Sequence, residues 1–295
     1  FPVHENLTGL NEQFGLPAGG DDAGQLQKVI QADLWRFIRH VRILPAPVLM
    51  SSPHAMNLSD WKVRYDFQYD VATGRFLPLA SRPDAWETFT EAQRSRHIVE
   101  VDLSDVDVAD VDFQWLESSD KLRVLNLARS TADDQTLKQV AKLTPLRRMF
   151  LSDTAITDKG FVSLTSLTNL ERITLSGTAI GDAACTALAS LTRLESVTAC
   201  ATQITDAGVR ELCKLNSLKV LWLDDTQVTA ACLPDIAQIG SLTRLHLNRT
   251  GITDKGVSEL RLLKHLQRLH VSGTNVTGPA AARLEQTIVG LTVYL

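Results

Sequence analysis

The sequence predicts an α/β fold: a right-handed solenoid with parallel strands on its concave side and short helices on its convex side, preceded by an α+β capping domain. Three observations lead to this prediction. Apolar residues recur every 24 residues over two thirds of the chain, each unit combines strand and helix signals, and the first 97 residues do not follow the repeat. A fixed period of about 20–29 residues is typical of solenoids, whose units pack only on their neighbours.

The repeat covers residues 98–295 and contains eight units and a terminal strand. The units begin at Ile98, Leu122, Leu146, Leu170, Leu194, Leu218, Leu242 and Leu266. The unit from Leu242 reads LTRLHLNRTGITDKGVSELRLLKH, and its first, fourth and sixth residues are apolar. This spacing predicts a short parallel strand whose apolar residues point into the core. The last segment, GLTVYL from Gly290 to Leu295, is predicted to be the closing strand.

Each strand is followed by a turn and a helix signal. The turn carries a hydroxyl column that we expect to bond backbone groups at the bend: Ser130, Thr154, Thr178, Thr202, Thr226, Thr250 and Thr274. Two residues later comes a buried apolar column: Val108, Ala132, Ile156, Ile180, Ile204, Val228, Ile252 and Val276. A Thr-Asp pair then predicts a helix start capped by a side-chain oxygen. The resulting row of aspartates is therefore interpreted as helix caps rather than calcium ligands: Asp110, Asp134, Asp158, Asp182, Asp206 and Asp254.

The motif Lxx(L/V/I)x(L/V/A)xxTx(I/V)TDxG resembles the leucine-rich-repeat superfamily over residues 98–295. This 24-residue TxITDxG variant is most similar to bacterial leucine-rich repeats and to those of F-box-type adaptors of ubiquitin ligases, with Thr in place of Cys. The resemblance implies the solenoid fold.

Residues 1–97 form a different part of the chain. Residues 1–24 are polar and Gly-rich and are predicted to be a loosely held arm, and residues 25–97 an αββα-like cap domain. Apolar residues at helical spacing predict a helix over 25–43, and WKVRYDFQYDV over 61–71 alternates as a strand does, with a return strand from Arg75. A second short helix is expected from Pro83. The cap would cover the open edge of the repeats.

Composition and cysteine usage restrict the class of protein. A net charge of −4 does not suggest a nucleic-acid binder, and no apolar run approaches the length of a membrane span. The four cysteines have no CxxC spacing and are interpreted as reduced thiols, which favours an intracellular compartment over secretion. Four glycosylation-type matches, at Asn6, Asn57, Asn248 and Asn275, point weakly the other way.

The third and fifth residues of each unit should form the exposed concave face. Two clusters there have the composition of a protein-binding hot spot, with aromatic rings beside arginines. The predicted partner-binding residues are Arg148, Phe150, Arg172, Trp222, Arg244, His246, Arg268 and His270. Their positive charge favours an acidic or phosphorylated contact on a protein partner. Because the two histidines lose their charge as the pH rises through about 6.5, binding of such an anionic partner should weaken over that range.

The functional prediction is a non-catalytic scaffold for protein–protein interaction that binds through the concave face, either alone or as a subunit of a larger complex. The alternative is an adaptor that delivers a bound protein to an enzyme through its N-terminal domain; an F-box is disfavoured because Ala46-Pro47 follows Leu44-Pro45. No cofactor, no metal, no nucleic acid and no membrane insertion are predicted. His246 and His270 should be adjacent, but their neighbouring arginines would repel a metal ion. No motif of a catalytic site was found, so we do not expect an enzyme.

Overall fold

The computed structural model describes residues 40–43, 65–70, 75–78, 98–109, 111, 113–117 and 119–295. The chain divides into two compact units. The first comprises Phe1–Leu103 with Asp110–Leu122, and the second comprises Ser104–Ala109 with Arg123–Leu295. The repeat that starts at Ile98 is thus shared between the two units. The predicted arm over residues 1–24 and the helix expected from Pro83 lie outside the described residues.

The first unit contains four described strands. They are β1 (His40–Ile43), β2 (Tyr65–Asp70), β3 (Arg75–Pro78) and β4 (Ile98–Asp102), which pair antiparallel in the order β4-β1-β2-β3. A 3-10 helix covers Phe113–Leu116. The predicted strand over 61–71 is confirmed for its described residues by β2, and the return strand from Arg75 is confirmed by β3, which pairs antiparallel with β2.

The helix predicted over residues 25–43 is wrong for its last four residues, which form β1. The reason lies in the short sequence HVRI, whose two β-branched residues alternate with polar ones. A run of only four residues is compatible with both the helical and the strand period, so pairing with neighbouring strands decides which structure forms. Here β1 has partners on both sides, in β2 and β4.

The second unit contains one open sheet of eight parallel strands in chain order. These are β5 (Val124–Asn126), β6 (Arg148–Phe150), β7 (Arg172–Thr174), β8 (Ser196–Thr198), β9 (Val220–Trp222), β10 (Arg244–His246), β11 (Arg268–His270) and β12 (Thr292–Tyr294). Equivalent residues of adjacent repeats are directly opposite, as with Arg148 and Arg172. The predicted closing strand is confirmed, because β12 pairs in parallel with β11.

A short helix follows most of these strands. The α-helices are α1 (Asp134–Val140), α2 (Asp158–Phe161), α3 (Asp182–Ala189), α4 (Asp206–Leu212), α5 (Leu233–Ile236), α6 (Asp254–Val257) and α7 (Gly278–Thr287). Further 3-10 helices cover Val162–Ser166, Ala230–Cys232 and Ser258–Leu262. In the part of the chain that the structure describes, no helix has both the length and the apolar character needed to cross a membrane.

The core of the second unit lies between the sheet and the helices. The first, fourth and sixth residues of the units are buried, as Leu218, Leu221 and Leu223 show with 0% exposure each. Leu164 and Leu167, on the helix side, are equally buried and pack against this layer. Each fully buried leucine contributes about 1.5–3 kcal/mol of transfer free energy. The predicted solenoid fold is confirmed.

The turn after each strand is held by the hydroxyl column that the sequence predicts. Thr178 Oγ1 donates to the carbonyl of Leu175 at 2.6 Å, and Thr226 Oγ1 donates to that of Leu223 at the same distance. The residue before each hydroxyl has a left-handed backbone, with φ of 58° at Asp225 and 71° at Gly177. This conformation turns its N–H toward the next repeat, where Asp225 donates to Asn248 O at 2.9 Å. The backbone groups of the bend are thereby paired.

The described aspartates of the predicted row do not cap their own helices, because each is the first residue inside its helix, which corrects the sequence interpretation. Thr205 is the N-cap of α4, and Asp206 is the first residue inside that helix. From this first position an aspartate reaches the following repeat instead. Asp182 accepts from the backbone N–H of Thr205 at 2.8 Å, from its hydroxyl at 2.7 Å and from Gly208 N at 2.9 Å.

The same hydrogen bonds from one repeat to the next recur along the second unit, and we call each set an inter-repeat staple. The carboxylates accept from the backbone N–H and the hydroxyl of the next repeat's threonine in the pairs Asp134–Thr157, Asp206–Thr229 and Asp254–Thr277. The position of the aspartate also explains why the TDxG motif has a glycine, since a larger residue has no room there. A Cβ on Gly208 would lie 2.4 Å from Asp182 Oδ1, and one on Gly160 would lie 2.4 Å from Asp134 Oδ1.

Candidate functional site

The surface of the sheet that faces away from the helices is formed by the third and fifth residues of the repeats. We call it the open face: Val124, Asn126, Arg148, Phe150, Arg172, Thr174, Ser196, Thr198, Val220, Trp222, Arg244, His246, Arg268, His270, Thr292 and Tyr294. None of these side chains is buried, because strand residues alternate between the two faces and the core takes the fourth and sixth. All eight predicted partner-binding residues lie on this face; their role in binding stays a prediction.

Two pairs of arginines lie on the open face. Arg148 on β6 is directly opposite Arg172 on β7, and Arg244 on β10 is directly opposite Arg268 on β11. All four are exposed, and none has a carboxylate within ion-pair distance among the described residues. The structure therefore assembles both predicted clusters but leaves their charge uncompensated.

Phe150 belongs to the first cluster. It is half-buried and lies opposite Thr174 on β7 and Asn126 on β5. Its ring is thus beside the Arg148–Arg172 pair with only small polar neighbours in its own column. This end of the open face combines one aromatic ring with two cations.

Four rings stack in a column at the other end of the open face. Trp222 and His246 have ring centroids 4.3 Å apart, His246 and His270 3.9 Å, and His270 and Tyr294 4.1 Å. The interplanar angles are 20°, 25° and 10°, so each ring lies nearly flat on the next. Parallel in-register strands about 4.8 Å apart bring equivalent side chains to this stacking distance. We call these four residues the ring stack.

The ring stack contains an unpaired donor. The indole N–H of Trp222 is buried and is the one buried side-chain N or O atom without a hydrogen-bond partner among the described residues. A buried donor without an acceptor costs about 1–3 kcal/mol, so this position is a local cost to stability. The sequence pattern predicts Trp222 as an exposed ring but gives no information on this atom.

Asp224 and Tyr294 join the site without having been predicted. Asp224 Oδ2 lies 3.7 Å from His246 Nδ1, and both side chains are only 15% exposed. Tyr294 extends the stack beyond His270 from the closing strand. Asp224 is the seventh residue of its repeat, outside the two columns considered, and the column of fifth residues would have found Tyr294 had it been continued into β12.

The electrostatics around His270 favour its neutral form. Burial lowers the pKa of His270, the nearby His246 and Arg268 lower it further, and Asp224 opposes them. For Asp224, burial acts to raise the pKa, but the interactions with His246 and Asn248 outweigh it, so its pKa is lowered. Asp224 therefore stays ionised at neutral pH, while His270 resists protonation.

Cysteine chemistry does not add a nucleophile to this face. All four cysteines are free. The Cys200 thiol lies 3.8 Å from Asp224 Oδ2. Burial is the main cause that raises the pKa of this thiol, and the negative charge of Asp224 adds to it. Burial and Asp235 raise the pKa of Cys213 to about 12. Because the thiolate is the reactive form, these environments suppress reactivity at neutral pH.

The geometry of the described residues does not favour metal ligation. Within them, no three side chains of His, Cys, Asp or Glu are grouped so that they could hold a metal ion. The described aspartates of the predicted row are engaged as inter-repeat staples, and Asp110 lies outside the described residues.

Comparisons with known proteins agree with the repeat architecture. The family model described as "Leucine Rich repeat" matches residues 241–260. Among solved structures, an internalin C2 (inlC2) from Listeria monocytogenes is 24% identical with a TM-score of 0.57, and the match covers 70% of this chain and 84% of that one. An internalin (inlF) from the same organism is 21% identical with a TM-score of 0.52, covering 69% of this chain but only 62% of the internalin. A search of curated proteins found no match.

The 24-residue period, the parallel sheet with alternating short helices and the family match lead to one assignment. The described repeats have the leucine-rich-repeat fold, and residues 241–260 match the family model of that description.

Proposed function

We propose that this protein is a non-catalytic interaction module that holds a protein partner on its open face. The observation that carries the proposal is the ring stack flanked by the exposed Arg244 and Arg268. Tryptophan, tyrosine and arginine are the residues most enriched among interface hot spots. The stack offers a preformed ring surface, so this protein would lose little side-chain entropy when a partner binds.

The arrangement suits recognition better than chemistry. The open face holds no carboxylate that could act as an acid or base with the histidines, apart from Asp224 at its margin. The adjacent thiol of Cys200 has a raised pKa. Groups that are rigid, aromatic and cationic can bind a protein surface without any reacting centre.

The proposal predicts that one bound protein is lost when the stack and its arginines are removed. A pull-down from native extract should compare the wild type with the triple variant Trp222→Ala, Arg244→Ala, Arg268→Ala. A matched control is Lys159→Ala, Lys255→Ala, Leu262→Ala, which also removes two exposed cations and one large side chain but lies on the helix side. We expect at least a tenfold loss of the partner with the first variant and retention with the control.

Circular dichroism and thermal unfolding of all three proteins establish that each is folded. A partner list that is the same for the folded open-face variant and the wild type would overturn the proposal. Loss of the partner with the control variant alone would instead assign binding to the helix side.

A further inference from the structure

We infer that the partner's contact with the open face is an extended acidic segment that crosses the strands and carries two acidic clusters about six residues apart. This inference rests on the proposed function and specifies the chemistry of its partner. Three features of the described residues carry it: the sign of the charge, the lack of internal partners for that charge, and its spacing.

The charge on the open face is of one sign. From β5 to β12 its third and fifth residues include four arginines, two histidines and no aspartate or glutamate, although the whole chain has a net charge of −4. A face of one sign on a protein of the other sign selects a partner of complementary charge. The complementary group here is an anion.

Internal ion pairs neutralise the neighbouring column but not the open face. At the second position of the repeats, Arg147 pairs with Glu171 at 2.9 Å, and Lys219 pairs with Glu195 at 2.7 Å. One residue further along, Arg148 and Arg172 oppose each other without a carboxylate among the described residues. Like charges in register on adjacent strands destabilise a sheet, and an external counter-charge would remove that repulsion.

The spacing of the arginine pairs sets the spacing of the anions. Along the third-position column the order is Arg148, Arg172, Ser196, Val220, Arg244 and Arg268. The centres of the two pairs are four strands apart, and four steps of about 4.8 Å span about 19 Å. An extended chain advances about 3.3 Å per residue, so about six residues cover this distance.

The residues between the pairs leave room for a main chain. On the two strands between them, Ser196 and Thr198 of β8 and Val220 of β9 are small and uncharged. Trp222 of β9 is the one large side chain there, and it stacks on His246 of β10 beside the second arginine pair. Phe150 lies beside the first pair, so the face has two cationic, aromatic ends joined by a neutral middle that is lowest at β8, which fits a segment anchored at two points.

The test uses synthetic fluorescent peptides that carry two Glu-Glu pairs joined by Pro-Ser linkers, with pair centres three, six or nine residues apart. Proline-rich linkers hold the peptides extended, so the separation is set by length. All three peptides have the same charge. We expect the six-residue peptide to bind the full chain at least fivefold more tightly than the other two, measured by fluorescence anisotropy at low ionic strength.

Variants of each arginine pair separate two-point anchoring from general attraction. In Arg148→Gln, Arg172→Gln and in Arg244→Gln, Arg268→Gln, the six-residue peptide should lose its advantage and bind as the three-residue peptide does. The control Lys159→Gln, Lys255→Gln removes the same charge from the helix side and should change binding less than twofold.

Binding that does not depend on the spacing would overturn the inference, as would an advantage that survives both arginine variants. Tighter binding of a single-stranded oligonucleotide of equal charge would also overturn it, since it would assign the face to phosphate chains. These results leave the proposed function standing if the pull-down partner is still lost with the open-face variant, so the two failures are distinguishable.

Discussion

His270 illustrates how a single residue links the geometry of the open face to its response to pH. Its imidazole is stacked between the rings of His246 and Tyr294, with Arg268 and Asp224 nearby. Burial is the main cause that lowers its pKa below the usual value of about 6.5, and His246 adds to it. The folded protein therefore holds the ring neutral in a range where the unfolded chain binds a proton.

This difference predicts a pH dependence of stability. Because the folded pKa is the lower one, the unfolded state binds more protons just below pH 6.5, and the free energy of unfolding falls as the pH falls through that range. His270→Phe keeps a ring in the stack but cannot titrate, so its unfolding curve should depend less steeply on pH between about 7 and 5. Urea denaturation at a series of pH values measures this slope.

His265→Phe is the control, since His265 is exposed and outside the ring stack. The carboxylate of Asp224 has a lowered pKa and contributes stability that is lost only below about pH 4, outside this window. Equal slopes for the wild type and His270→Phe would contradict the argument. The same shift moves the strengthening of anion binding by His270 below the pH of about 6.5 expected from the sequence.

At the scale of one element, each helix start is joined to its neighbour by the aspartate staple. Asp182 spans from α3 to Thr205 and Gly208 of α4, and Thr205 in turn caps α4 through its hydroxyl. The threonine, the aspartate and the glycine of TDxG are therefore coupled across repeats rather than within one. The motif specifies how consecutive helices are aligned.

This coupling predicts that Gly208→Ala is destabilising by about 1–3 kcal/mol, the usual cost of forcing an atom into a packed site. The new Cβ would lie 2.4 Å from Asp182 Oδ1 and 3.0 Å from Cys185 Sγ, so the staple must shift. Gly240→Ala is the control, because a Cβ there meets nothing within 4 Å. Denaturant unfolding should show a change at position 240 that is below about 1 kcal/mol; equal losses at both sites would contradict this account.

At the scale of the whole molecule, stability and partner spacing both follow from repetition. Each repeat of the second unit contacts its neighbours in register, as the parallel pairs from β5 to β12 show. In such an array each unit contributes its own stability and two interfaces. Removing one unit should leave the remaining contacts intact, because the next repeat presents equivalent residues.

The prediction is that deleting residues 194–217, one full period, gives a folded protein with a lower unfolding temperature. The deletion removes Ser196 and β8 and brings the two arginine pairs one strand, about 4.8 Å, closer together. The preferred separation of the Glu-Glu pairs should therefore fall from about six residues to between four and five. If the folded deletion variant still binds the peptide with a six-residue separation most tightly, the spacing argument is wrong.

Sequence periodicity was sufficient for the repeat but not for the domain before it. The strict 24-residue spacing made the strand positions, the buried columns and the closing strand predictable, because in-register stacking repeats the same environment in every unit. The sequence pattern predicts a helix that includes residues 40–43, although pairing with β2 and β4 makes them a strand. No repetition was available there to separate the two periods.

Within the candidate site, the sequence alone determined which residues share the open face, since the alternation of a strand and the period of the repeat are enough to place Arg148, Trp222 and His246 on it. Only the tertiary structure decided which groups these side chains contact. The flat stacking of four rings, the burial of the Trp222 indole N–H and the approach of Asp224 to His246 depend on side-chain positions across repeats. Such contacts are set by packing between strands, and a one-dimensional pattern carries the order of residues but not the orientation of their side chains.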